Sequence, residues 1–321
     1  MPTDHDNTLG AAAPVNIVDT GSAFDSARNP EPGIALCLSG GGYRAMLFHL
    51  GALWRLNEWG YLPKLARLSS VSGGSITAAV LGFKWAKLAF DANGVGRAFD
   101  AEVAQPIRAL AGRTIDEGSV ISGIVLPGSI ADKVTDAYRK HLFGKATLQA
   151  LPLEQPRFVI NATNVQSGAL WRRLRQPRAG NGVEELPDNP RQRWWRQDAA
   201  EAEPKGDWAR HALRINEIID NQVRSLRKRQ VMASFRAKTR SGTYWGVRSD
   251  IAEYEVSDAL PCPPEKTLAL ANIKTRLKRL ESVDQERLIN WGYAICDAAM
   301  RKWVDSTLGK PIHFPYPASG I

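Results

Sequence analysis

The stretch that decides the fold runs from Gly33 to Arg44: Gly33-Ile-Ala-Leu-Cys-Leu-Ser39, then Gly40-Gly41-Gly42-Tyr43-Arg44. Its first half is a short, unbroken apolar run, the pattern of a strand buried on both faces of a parallel sheet. The glycines end it. Beyond them Met46, Leu50, Leu53 and Leu56 recur at helical spacing, and Gly60 is placed to cap that helix. Leu65 to Val71 reads as a second strand, Ser72-Gly73-Gly74-Ser75 as a tight turn, and Ile76 to Phe90 as a second helix. Strand, glycine turn and helix, repeated, specify an α/β domain with parallel strands. Further out, Arg157 to Thr163 reads as another strand. Ala209 to Gln230, Pro264 to Glu281 and Asp284 to Val304 read as helices, and His313 to Ile321 as a tail.

At 321 residues and 44% hydrophobic the chain is long enough for a large buried core, and 23% charged residues exclude wholesale disorder. Lys+Arg outnumber Asp+Glu by 42 to 33, a net charge of +9 that favours a negatively charged partner. Cys37, Cys262 and Cys296 are too few and too scattered for a disulfide framework and read as buried thiols of a reducing compartment. The apolar runs are interrupted by charges before they reach the length of a membrane span. Residues 1–30 carry no secretory signal and read as a flexible lead-in, so the expected location is cytoplasmic.

Both glycine turns bring unpaired amides to the positive end of a helix, where something negative belongs: a phosphate, or the oxyanion of acyl transfer. The bland alternative is a tight turn that needs glycine for its backbone angles. In the second turn Ser72 stands among small residues just after a strand, as a nucleophile on a pinched strand-to-helix turn requires. Gly42 and Ser72 are 30 residues apart, one strand–helix unit, so adjacent parallel strands bring the two turns together. Gly40-Gly-Gly-Tyr-Arg-Ala45 also fits a loose dinucleotide pattern, but no acidic residue ends the next strand. A P-loop fails for want of Gly-Lys-Ser/Thr. An ordinary α/β-hydrolase places its serine later and follows it with Asp and His.

With these motifs the sequence resembles the patatin-like phospholipases, lipid acyl hydrolases with a Ser–Asp dyad. The family's Gly-Gly-Gly-x-Arg/Lys is met by Gly40 to Arg44. Its Gly-x-Ser-x-Gly is met by Ser70-Val71-Ser72-Gly73-Gly74, except at Ser70. Phe158 to Asn164 with Gly168 to Trp171 is similar to a later strand and turn of bacterial members. The resemblance implies a three-layer parallel-sheet fold and Ser72 as nucleophile. It also implies an oxyanion hole from Gly40, Gly41, Gly42, Tyr43 and Arg44, a turn shaped by Ser70, Gly73 and Gly74, and no cofactor or metal. His49 is expected to pack within its helix, since the family uses no histidine.

The family's aspartate, in Asp-Gly-Gly or Asp-Gly-Ala, has no counterpart: the chain contains no Asp-Gly pair. Asp207, Asp220 and Asp250 have no context that singles them out. The gap coincides with Arg172 to Pro204, rich in Arg, Gln, Pro and Trp and without helical or strand period. Codons exist for Trp171 to Pro187 whose next frame reads Gly-Gly-Val-Tyr-Asp-Asn-Leu-Gly, the sequence expected after the aspartate. The expectation is an internal deletion read out of frame, with late strands missing. The organisation is then a lead-in (1–30), an α/β core (31–171), the anomalous segment (172–204) and a helical C-terminal part (205–321). The expected partner is a lipid or other acyl ester. The basic run Arg224 to Lys238 suits peripheral contact with an anionic membrane, and it lacks the interleaved aromatic residues that nucleic acid would require.

Overall fold

A computed structural model describes residues 32–115, 130–154, 156–163, 170–173 and 228–321. β1 (Ile34–Leu38), β2 (Leu65–Val71) and β3 (Arg157–Thr163) run parallel, and β4 (Leu170–Arg173) pairs antiparallel with β3, in the order β1-β2-β3-β4. α1 (Gly42–Glu58) links β1 to β2. α2 (Gly73–Lys84), α3 (Gln105–Ala111) and α4 (Ile130–Tyr138) follow before β3. The α/β class and the parallel strands agree with the sequence.

β1 departs from expectation. Leu36 and Leu38 are buried, but Ile34 is 43% exposed and Cys37 is exposed as well. An edge strand with alternating side chains buries one face more than the other. Cys37 is therefore not a buried thiol, whereas Cys262 and Cys296 are.

α1 carries the core. Met46, Leu47, Leu50 and Leu53 are fully buried, and Gly60, at φ +64°, ends the helix, with its amide on Asn57 O and that of Tyr61 on Leu56 O, both 2.8 Å. Across α1 lies α7 (Ser282–Trp303), which follows α5 (residues 228–236) and α6 (Pro264–Ala271). The crossing is made by two glycines. A Cβ on Gly51 would lie 1.9 Å from Ile289 O, and one on Gly292 would lie 1.8 Å from Phe48 O. Nothing larger lets the backbones approach so closely. Beside the crossing, Asp297 of α7 bonds Arg55 of α1 at 2.9 Å and Arg301 at 3.0 Å, a buried ion network.

The C-terminal residues also differ from the sequence reading. They are docked: Asn290 of α7 donates to Tyr316 O and Gly320 O, each at 2.8 Å, and Phe314 and Ile321 are buried. The α2 helix starts at Gly73 and stops at Lys84, short of Phe90. Most of Ala209 to Gln230 lies outside the described residues, as do residues 1–30 and 174–204. Among the described residues, 228–236 are helical.

Candidate active site

β1 and β2 end side by side, Leu38 opposite Ser70, so both glycine turns open at the same edge of the sheet. Gly41 (φ +141°) and Gly42 (φ +56°) lead into α1. Ser72 leads into α2 with φ 51° and ψ −121°, a conformation that costs an L-residue on the order of 1–3 kcal/mol and persists only where the surroundings impose it. Here they do. A Cβ on Gly73 would lie 2.2 Å from Gly42 O, and one on Gly74 would lie 2.6 Å from Ser39 O, so the two turns are pressed against each other. A Cβ on Gly40 would lie 3.6 Å from Ser72 Oγ.

The amides of Gly41, Gly42 and Gly73 donate to no acceptor among the described residues, whereas Tyr43 N donates to Arg276 O at 3.0 Å and Gly74 N to Ser39 O at 3.1 Å. Unengaged N–H groups therefore stand at the N-termini of α1 and α2, where Gly42 shares a cavity lining with Ser72 and Gly73 follows it in the chain, a setting that favours negative charge.

Ser70 occupies the place where the motif has glycine. Its side chain is buried and paired: Ser75 Oγ donates to Ser70 Oγ at 3.1 Å, and Ser70 Oγ donates to Val159 O at 3.4 Å. Asn161 of β3 bonds Ser69 Oγ and Ser70 O at 2.9 and 3.0 Å, fixing the end of β2. The turn accepts serine here because Ser75 of α2 and Val159 of β3 supply partners for the hydroxyl.

Arg44 is buried. Its Nη1 donates to Ala271 O at 2.5 Å and Ile273 O at 2.8 Å, the last carbonyls of α6 and the residues just beyond. It thereby fastens residues 272–281, which we call the strap, across the start of α1. The sequence reads helix through Glu281. The structure ends α6 at Ala271, because these carbonyls bond Arg44 rather than amides further along the chain. His49 is buried as well, with Nε2 3.0 Å from Ser39 O. Burial pushes its pKa down to about 4, so it is a neutral packing residue that holds the end of β1.

A cavity of about 750 Å³ opens on Ser72. Ile76, Ala79 and Phe83 of α2 form one wall, Tyr138, Phe143 and Leu148 another, with Ile160 of β3 and Thr275, Arg276 and Leu277 of the strap completing it. It is mostly apolar. Its titratable lining is Tyr138 and Arg276; no carboxylate or imidazole lines it among the described residues. Burial pushes the Tyr138 phenol up to about 12, so that group stays protonated. Asp250 is accounted for elsewhere, capping residues Ile251–Tyr254 through Ala252 N at 3.0 Å. Asp207 and Asp220 lie outside the described residues, and no group of acidic, His and Cys side chains among the described residues could hold a metal ion.

The class defined so far is an α/β domain with a parallel sheet, in which a serine on a strained strand-to-helix turn stands beside a glycine-rich helix start. Residues 36–214, more than half of the chain, match the family described as patatin-like phospholipase, and the chain belongs to that family. No curated protein sequence matches it. A solved structure similar in part is human GIVD cytosolic phospholipase A2 with methyl gamma-linolenyl fluorophosphonate inhibitor and terbium chloride. It is 18% identical, with a TM-score of 0.28, over 44% of this chain and 23% of that one. The chain thus spans less than a quarter of that enzyme, and so slight a likeness carries no inference. Among the described residues no helix is long and apolar enough to cross a membrane.

Proposed function

We propose that the chain is a lipid acyl ester hydrolase whose nucleophile is Ser72. The observation that carries this reading is the Ser72 backbone, φ 51° and ψ −121°, on an apolar cavity with unengaged amides at the starts of the two helices that meet there. In this reading the acyl chain lies along Ile76, Ala79 and Phe83 with its carbonyl carbon at Ser72 Oγ. Attack forms the Oγ–C bond, and the carbonyl oxygen becomes an anion held by the amides of Gly41, Gly42 and Gly73. The carbonyl then re-forms as the C–O bond to the leaving alcohol breaks, and the proton given up by the Ser72 hydroxyl leaves on that alcohol. Water attacks the acyl-serine, releases the fatty acid and restores the hydroxyl. The Tyr43 amide is committed to Arg276, so Tyr43 and Arg44 act by shaping the loop.

A catalytically impaired member that binds lipid is the second reading. It is favoured by the absence of any carboxylate among the described cavity residues. Without a general base the rate falls by about 10²–10⁴-fold. Hydrolysis of a chromogenic fatty-acyl ester, beside Ser72→Ala, separates the readings: Ser72-dependent turnover supports the first, and equal rates for the two proteins reject it. The exposed basic residues Lys228, Arg229 and Arg236 of α5 suit contact with anionic lipid, as the family reading implies.

A further inference from the structure

One face of α2 leads from the serine into the cavity. Ser72, Ile76, Ala79 and Phe83 all line it, and their spacing of four, three and four residues is that of a single helix face. Phe83 is the last of them. At about 1.5 Å per residue, and with helix side chains leaning back by about one position, its ring stands about 15 Å beyond Ser72.

At that depth the opposite wall meets α2. Phe83 and Phe143 pack edge to face with ring centroids 5.3 Å apart, and Tyr138 packs on Phe143 at 6.4 Å. The backbone of that wall explains why both of its rings line the cavity. Tyr138 and Phe143 are five residues apart, which is about 140° around an α-helix. Here α4 passes instead into a π-turn, Arg139–Phe143, closed by Gly144 N on Arg139 O at 2.8 Å. A bond spanning five residues widens the turn and brings residues five apart toward one side. Turns of this kind are rare and occur frequently at functional sites.

We infer that the Phe83–Phe143 pair is the stop of this cavity and sets the longest acyl chain that it accepts. An extended chain advances about 1.2 Å per single bond, so about 15 Å holds about twelve bonds, a dodecanoyl to tetradecanoyl group. A longer chain meets the two rings. An edge-to-face pair is attractive beyond the area it buries, so a chain that passes between the rings has to break it. The inference rests on the cavity being the acyl site of the proposed hydrolase, but binding against the stop does not require catalysis.

The test is displacement of a fluorescent fatty acid from the full chain carrying Ser72→Ala, by straight-chain saturated acids from hexanoic to octadecanoic. Affinity is expected to rise about fourfold per methylene while the chain fits and to level off at tetradecanoic acid. Phe83→Ala and Phe143→Ala are each expected to move that limit to hexadecanoic acid or longer. Ala79→Leu, on the same face of α2 but nearer Ser72, is expected to move it below decanoic acid. Trp303→Ala removes an exposed ring that does not line the cavity and is expected to leave the limit in place. Phe83→Leu serves if the alanine variants fail to fold, with a shift in the same direction. Affinity that climbs without a limit to octadecanoic acid, a limit that the cavity variants do not move, or no binding of any acid overturns the inference. An unmoved limit beside Ser72-dependent ester hydrolysis rejects the stop alone. A limit that moves as expected, with no hydrolysis by the Ser72 protein, leaves this inference standing and rejects the hydrolase reading.

Discussion

The carbonyl of Arg276 accepts a 3.0 Å hydrogen bond from the amide of Tyr43, and its peptide lies so close on Gly42 that a Cβ there would meet Arg276 O at 2.5 Å. Residues far apart in sequence thus share the start of α1. Gly42 is required twice over, for its φ of +56° and for the strap's approach. Gly42→Ala is expected to lower stability by about 2–3 kcal/mol, read as a shift of the urea midpoint. An unchanged midpoint would show that the strap does not rest there.

The α1–α7 crossing makes a companion prediction. Gly51→Ala and Gly292→Ala each place a methyl within 2 Å of a backbone carbonyl and are expected to cost about 3 kcal/mol or more. Gly309→Ala, whose Cβ meets nothing within 4 Å, is expected to change stability by less than about 0.5 kcal/mol. Thermal melts of the three variants compare them directly.

Much of this was legible in the sequence because it is local. The glycine turns, the apolar run before each and the helical spacing of Met46 to Leu56 all lie within one strand–turn–helix unit. What was not legible depends on contacts across the chain. Ile273 to Leu280 reads as helix by its own periodicity, and only Arg44, more than 200 residues earlier, explains why α6 stops at Ala271. Ser70 breaks the glycine pattern, and of its partners the local one is Ser75, while Val159 is visible only once β3 is in place. The two-faced burial expected of β1 fails because strand position in a sheet is a tertiary fact. The residue of the site that sequence reasoning missed is Arg276; the weak signal was a basic run with apolar residues four and three positions apart.

Ser72 carries strain that glycine would relieve. Ser72→Gly is expected to be about 1 kcal/mol more stable than Ser72→Ala, since both remove the hydroxyl and only glycine accepts φ 51° without cost. Equal denaturation midpoints for the two would argue against a strained turn.

His49 gives a pH dependence of definite sign. Its folded pKa of about 4 lies below the ordinary 6.5, so protons bind the unfolded chain more readily. Its neutral form contributes fully above pH 6.5, and stability falls as pH drops from there toward 4, by about 3 kcal/mol in all. His49→Gln is expected to flatten that window. Denaturant midpoints across pH 4–7 read it, and identical slopes in both proteins would assign the dependence elsewhere.

The origin of Arg172 to Pro204 is decided by DNA. The frame following the coding one is expected to read Gly-Gly-Val-Tyr-Asp-Asn-Leu-Gly from Trp171 onward. Any other reading removes the deletion as the cause of the missing aspartate.

Ser72 is expected to be a nucleophile presented to acyl esters. Incubation with a long-chain fluorophosphonate, followed by intact-mass and peptide mass measurement, tests it most directly. One adduct per chain is expected on the peptide containing Ser72, absent in Ser72→Ala. A folded protein that stays unlabelled, or that is labelled equally with Ser72 replaced, would contradict it.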